Sequence, residues 1–282
     1  MSADLASLPD SPAVRALRSS LLGDAIALGP HWIYDPAEIT RRFGTIDGPT
    51  DPPSDLYHPR KKKGDQTHYG DQTLCLLQSI RDNGGRFDAA HFAARWQAMW
   101  DGYADYFDKA TKHTLAALKA GTPWQEAASA STELGGAARL GALLVSDAAE
   151  NEHRFVEAAR AQTAVTHRSA EALAAAGFLA RAVFRRLHGD SLAGALARAA
   201  AEPSPLPFDA WLARAEKLAS SGKSGAEMVA ETGASCDAAD ALPASLALAL
   251  RFSADPHRAL CENAQAGGDS AARGLVIGLL VG

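Results

Sequence analysis

The feature that most constrains this chain is the spacing of its apolar residues, which recur at three- and four-residue intervals. Val14, Leu17, Leu21, Ala25 and Leu28 fall on one stripe of a helix. Leu74, Leu77 and Ile80 repeat the pattern, and Phe92, Trp96, Met99, Trp100 and Tyr103 add an aromatic stripe that reads as core. A sheet would need alternating β-branched runs separated by turn pairs, and none is found. The expectation is an all-α fold. Thr122-Pro123-Trp124-Gln125 reads as a helix start, with an N-cap, a proline at the first helical position and a capping-box glutamine. Ser169 opens an alanine-rich helix that Gly189 can close, and Pro207, Pro243 and Pro256 mark further starts.

The stretch from Gly29 to Gly70 breaks the period and is rich in proline, glycine and aspartate, so it reads as one long loop of the kind that often carries function. Ala201 to Pro207 is a loop between helices of similar composition, so the chain, residues 1–282, is expected to be a single domain. A net charge of -5 argues against a nucleic-acid partner, which needs a basic face. The run Arg60-Lys61-Lys62-Lys63 reads as a solvated loop, with contact to a phosphate as the other reading. Cys75, Cys236 and Cys261 are three, widely spaced and without a Cys-x-x-Cys pair, which fits a reducing cytoplasm better than a disulfide framework or a zinc site. Met1 to Pro12 carries Asp4 and Asp10 and no basic-then-apolar leader. The longest apolar stretches, Leu242 to Leu250 and Leu275 to Val281, fall short of the roughly 20 residues that span a bilayer.

Two aspartates stand out as candidate site residues. Asp71 follows Gly70 just before the apolar run from Leu74, and Asp269 follows Gly267-Gly268 before the run from Ala271 to Val281. Either position is an ordinary helix cap, but two of them, each preceded by glycine, suggest backbones that must approach a ligand closely. Arg273 lies one helical turn after Asp269, within reach of it or of Asp71. The segment His31-Trp32-Ile33-Tyr34-Asp35, close to Asp24, joins a histidine to aromatic rings suited to stacking a base or sugar. His58, His68 and His167 are further candidates.

Together, Gly23-Asp24-Ala25, Tyr69-Gly70-Asp71-Gln72-Thr73, Thr166-His167 and Gly267-Gly268-Asp269 resemble the ADP-ribosylglycohydrolase superfamily over nearly the whole chain. His31 to Asp35 and the late Gly267 to Gly274 resemble more narrowly its branch containing the J-crystallins of the eye lens. The resemblance implies an orthogonal multi-helix bundle whose pocket typically holds two magnesium ions. It also implies hydrolysis of a glycosidic bond of ADP-ribose. Members run further than Gly282, so a natural early end and a shortened chain both stay open.

This chain departs from that pattern at the ligands. Where members carry Thr-Asp-Asp-Thr it has Gly70-Asp71-Gln72-Thr73, and where they carry Gly-Gly-Asp-x-Asp-Thr it has Ala271 and Ala272 in the last two places. Two carboxylates would hold at most one hydrated magnesium ion weakly, at Asp71 and Asp269, so no cofactor is expected and a dinuclear centre least of all. His31 falls where members place a glutamate over the substrate. If Asp71 and Asp269 converge, the Arg273 guanidinium is the cation expected to offset their repulsion. The reading is thus a hydrolase of glycosidic bonds in ADP-ribose-like or nucleotide-like substrates with an altered or metal-independent site. Asp71 or Asp269 would be the general base, and His31 a substrate contact or acid. Trp32, Tyr34, Asp24, His68, Gln72, Thr73, His167 and Arg273 would line the substrate. The alternative is a ligand-binding or structural, crystallin-like homologue without catalysis. A small ADP-ribose-like molecule is the expected partner; neither nucleic acid nor membrane is, and the oligomeric state is left open.

Overall fold

Side-chain caps set most of the helix starts. Ser11, Asp35, Thr67, Asp88, Asp108, Asn151, Ser169, Ser191, Ser224, Asp237 and Asp255 each accept a hydrogen bond from an N–H of the turn that follows. In the computed structural model, which describes residue 5 and residues 8–282, they and their neighbours open α1 (Pro12–Ala27), α2 (Pro36–Phe43), α3 (His68–Asp82), α4 (Ala89–Met99), α5 (Lys109–Lys119), α6 (Glu152–Ala164), α7 (Ala170–Leu187), α8 (Leu192–Ala200), α9 (Phe208–Ala219), α10 (Gly225–Thr232), α11 (Ala238–Arg251), α12 (Pro256–Ala266) and α13 (Ser270–Val281). Asp4, used above in arguing against a leader, lies outside the described residues. Extended pairing among the described residues amounts to two isolated bridges, Ser129 with His167 and Glu133 with Asp237. The fold is all-α, as the periodicity predicts. No helix of the described chain is long and apolar enough to cross a membrane.

One helix pair organises the core. Every residue of α13 is buried, and the helix runs antiparallel across α1 at a separation only glycine allows. A Cβ on Gly23 would lie 2.2 Å from the Gly274 carbonyl oxygen, and one on Gly278 2.3 Å from that of Ser19. The Ser20 hydroxyl donates to the Leu275 carbonyl at 2.8 Å, so the polar atom at this contact is satisfied. The antiparallel crossing has a functional consequence: the C-terminal end of α1 and the N-terminal end of α13 come side by side.

Four expectations are corrected. The stretch from Gly29 to Gly70 is not all loop, because Asp35 caps α2 and Pro36 occupies its first turn; α2 buries only Ile39, too little to print an apolar period. Helix α3 starts at His68, six residues before the apolar run, because Thr67 caps it by accepting from the Tyr69 N–H at 3.1 Å. Thr122-Pro123 opens a single turn, Trp124–Ala127, with no side-chain cap, and the chain then extends into the bridge at Ser129. Pro243 starts nothing: it sits inside α11, which Asp237 caps, and deprives the helix of one N–H donor. The aromatic stripe is core at Phe92, Trp96 and Trp100, whereas Tyr103 turns its hydroxyl to Asp71.

Candidate functional site

The segment after α1 is strapped to the start of α13 by backbone hydrogen bonds. Trp32 N–H donates to the Gly268 carbonyl at 3.0 Å, Gly268 N–H to Ile33 at 2.8 Å, and Asp269 N–H to Ala234 at 3.0 Å. Gly267 (φ 72°) and Gly268 (φ 66°) adopt left-handed backbone, and a Cβ on either would stand 2.3 Å from a carbonyl oxygen of the strap. Trp32 is itself left-handed at φ 63°, the one non-glycine of that kind among the described residues. Such a conformation costs energy and persists where surroundings enforce it. It places the buried His31 ring with Nδ1 3.8 Å from Asp269 Oδ1.

The start of α3 supplies the facing wall. Asp24, buried on α1, accepts from both the N–H and the hydroxyl of Thr67 at 2.6 Å. Gly70 packs so closely on that carboxyl that a Cβ would fall 2.4 Å from Asp24 Oδ2. Burial lifts the Asp24 pKa to about 7, against the lowering pull of its two bonds to Thr67. With α3 thus pinned to α1, Tyr69 and His68 point inward. The Tyr69 hydroxyl donates to Asp269 Oδ2 at 3.2 Å. His68 Nε2 lies 3.2 Å from Oδ2 of Asp108, the cap of α5, which also takes the N–H and hydroxyl of Thr111 at 2.6 and 2.8 Å.

Three buried imidazoles meet here. The ring centroids of His31, His58 and His68 stand 5.7, 6.1 and 5.9 Å apart, close to an equilateral triangle. One nitrogen of each lies within 4.8 Å of the others. Rings from three separate segments cover them: Trp32 stacks on His31 at 4.2 Å, and Tyr57 and Tyr106 abut Trp32 edge-on at 4.7 and 4.8 Å. A second wall brings Glu133 Oε2 to 3.9 Å from His167 Nε2. Arg139 donates to the Thr166 hydroxyl at 2.6 Å, and that hydroxyl lies 2.8 Å from His167 Nδ1.

Burial dominates the electrostatics. It lifts Asp269 to about 6, even with Arg273 and His68 pulling the other way. It holds His31 well below the usual histidine range and His58 down to about 3, the neighbouring rings adding to the effect, so both are neutral at pH 7. Asp108 goes the other way: burial alone would raise it, but the contact with His68 and the charges around it keep it below the ordinary carboxylate range. His31, His58, Glu133 Oε2, His167 Nε2, Asp269 Oδ1, Ser270 Oγ and Arg273 Nη1 are buried polar groups or atoms without a hydrogen-bond partner. Other unpartnered buried polar atoms, such as Arg18 Nε, Thr50 Oγ1, Trp100 Nε1 and Arg186 Nε, are scattered, whereas these gather around Asp269 and the three imidazoles.

Asp71 is absent from this group. It lies two residues beyond Tyr69, on the opposite side of α3, partly exposed and engaged by the Lys61 ammonium and by the Tyr103 hydroxyl at 2.7 Å. The structure does not bring it together with Asp269, so the two do not form a carboxylate pair or share an ion. A recess of about 640 Å³, lined in part by Arg18, Lys61, Gln66 and Asp71, opens on that outer side. Gln72 is also turned away: its carbonyl accepts from Trp96 Nε1 at 2.7 Å and Arg139 Nη1 at 3.0 Å in a buried network. Thr73 bonds back to the Tyr69 carbonyl within the helix. Asp24 is a buried fastening. Arg273 is buried near Asp269, but its guanidinium donates to Asn263 Oδ1 at 3.0 Å and to the Gly267 carbonyl, so it buttresses the strap and does not bridge two carboxylates. Lys62, Lys63 and Arg60 are solvated, as read, while Lys61 folds back on Asp71. Tyr34 is mostly exposed at the rim. Sequence reasoning missed Tyr69, Asp108 and Glu133 as wall residues. Asp108 announces itself only as a helix cap, and nothing local marks Glu133.

Comparison with known proteins decides the family. The model of the ADP-ribosylglycohydrolase family matches residues 7–282. The chain belongs to this family. A relative from Escherichia coli (strain K12) bearing the name "Uncharacterized protein YegU" is 25% identical over 277 residues, covering 90% of this chain and 82% of that protein. The solved structure titled "ADP-ribosylglycohydrolase-related protein complex" superposes with a TM-score of 0.64 over 96% of this chain and 86% of the other, at 22% identity, which shows a shared fold. The magnesium pair of the ADP-ribosylglycohydrolase pattern does not fit the residues present. Magnesium requires octahedral oxygen ligands, whereas the residues gathered here present ring nitrogens, the phenol of Tyr69 and, of the motif aspartates Asp71 and Asp269, Asp269 alone.

Proposed function

We propose that the chain hydrolyses a glycosidic bond in an ADP-ribose-like or nucleotide-like substrate, acting as one domain, with Asp269 as the residue that handles the water. The observation that carries this reading is the concentration of unpartnered buried polar atoms around Asp269, beneath aromatic rings, in a chain of this family. A carboxyl near pKa 6 is ionised at neutral pH yet basic enough to take a proton from water. Tyr69 orients one of its oxygens and leaves Oδ1 for the water. Neutral His31 contacts the substrate beside it. Trp32, Tyr57 and Tyr106 offer ring faces and edges for the base or ribose, and His167 with Glu133 supplies hydrogen bonds to ribose hydroxyls. Asp71 has no part in the chemistry.

Incubation of the protein with peptides ADP-ribosylated on arginine or serine, followed by quantification of free ADP-ribose, tests this. Release above the Asp269→Asn background is expected; no release, together with no thermal stabilisation by ADP-ribose, ADP or nucleosides, would sink the reading. The second reading is a ligand-binding homologue without catalysis, on the pattern of the J-crystallin branch that His31 to Asp35 and Gly267 to Gly274 resemble. Gly70, Gln72, Ala271 and Ala272, standing where oxygen ligands are expected, favour it. Stabilisation by ADP-ribose without turnover is its signature.

A further inference from the structure

We infer that His31, His58 and His68 form a binding site for one imidazole-preferring divalent ion of the zinc type. The inference concerns occupancy and does not rest on the hydrolase reading. Three features of the cluster carry it, and each excludes a simpler account.

The first is geometry. Three ring nitrogens within 4.8 Å of one another need only small side-chain rotations to reach the separation of about 3.3 Å that metal–nitrogen bonds of about 2.0–2.1 Å impose on a tetrahedral ion. The second is the lack of any other task for the rings. Histidines packed for structural reasons hydrogen-bond to something, yet neither nitrogen of His31 nor of His58 does so, although their exposure is 1% each. Neutral imidazole is the ligating form.

The third feature is the pattern of carboxylates behind the rings. His68 presents Nε2 to Asp108 at 3.2 Å, which leaves Nδ1 for the centre of the triangle. His31 presents Nδ1 to Asp269 at 3.8 Å, which leaves Nε2. A carboxylate on the far nitrogen is the arrangement that orients metal-bound histidines and raises their basicity. Here it occurs at His68, through Asp108, the cap of α5, while Asp269 Oδ1 stands 3.8 Å from His31 Nδ1, beyond hydrogen-bond reach. Nitrogen donors select against magnesium and calcium.

The test uses the full chain, stripped with a chelator and dialysed, then titrated with Co2+ and Zn2+ separately. Cobalt bound by three imidazoles is expected to give visible d–d bands saturating at one equivalent per chain. Zinc should bleach those bands, and millimolar magnesium should leave them unchanged. His58→Ala and His31→Gln, checked for folding by circular dichroism, should each weaken cobalt binding at least 100-fold. His257→Ala, which removes the surface pair in which Cys261 Sγ approaches His257 Nε2 at 3.5 Å, should bind as the parent does. The inference is overturned by a parent protein without bands, by bands that survive both cluster variants, or by bands lost in His257→Ala. Should a cluster variant fail to fold, the parent titration decides through the bands and their resistance to magnesium. Failure of ADP-ribose release with the bands intact would tell against the hydrolase alone.

Discussion

The two sides of the first turns of α3 differ more than their adjacency suggests. On the inner side, buried His68 and Tyr69 face Asp108 and Asp269, and burial raises the pKa of Asp269 and of Tyr69. On the outer side, Asp71 meets Lys61 and Tyr103 near solvent, where charges are screened and hydrated. A carboxylate of the same type is thus a buried group of raised pKa in one place and an ordinary ion pair in the other. The difference is made by the rotation of one helix, which Thr67 and Asp24 fix.

The sharpest break of that comparison is catalytic. Asp269→Asn should lower ADP-ribose release by about 10²–10⁴-fold, the range for loss of a positioned general base, while Asp71→Asn should stay within about threefold of the parent. Equal losses in the two variants would erase the distinction between the faces.

A smaller effect concerns the fastening itself. Because Asp24 has a folded-state pKa raised from 3.8 to about 7, the folded chain holds a proton that the unfolded chain has lost between those values. Stability from this group is therefore greatest below pH 4, falls as pH rises to 7, and is level above that, a total of about 4 kcal/mol. Asn at this position mimics the protonated acid, accepting from the Thr67 N–H and donating to its hydroxyl. Urea melts from pH 5 to pH 8 should show Asp24→Asn gaining stability relative to the parent as pH rises. A constant difference would mean that Asp24 is not a protonated fastening.

Gly70→Ala presses a methyl onto the Asp24 carboxyl and Gln66, and should cost about 1–3 kcal/mol in the same melts. Least affected is Lys61→Met on the outer side. Its pair with Asp71 is partly solvated, so the expected loss is about 1 kcal/mol or less, with unchanged activity.

How far the sequence spoke depends on whether a feature is local. The helix from Ser169 was legible because cap, periodicity and closing glycine lie within one segment. Helix α2 was not, since a single buried residue leaves no stripe. His31 and Asp269 were legible through their motifs, whereas His68 was one further candidate among the histidines. The error at Asp71 and Gln72 was one of phase: starting α3 at Leu74 made Asp71 an N-cap, whereas the true cap at Thr67 turns His68 and Tyr69 inward. His58 was noted without a reason to prefer it, and Asp108 and Glu133 were not singled out. Their meeting is created by tertiary packing of segments that share no local pattern.

The glycine-lined crossing of α1 and α13 also bears on how the chain comes to be assembled. Ser20 and Leu275 bond across 255 positions, so the contact closes a loop spanning nearly the whole described chain, and such distant contacts form late. While the polypeptide is being synthesised, α1 must wait with its groove bare until α13 leaves the ribosome. Asp269 immediately precedes α13, so its carboxyl becomes buried in the same event that seals the interior. A nascent chain still lacking α13 would leave the groove of α1 uncovered and Asp269 without the helix it opens.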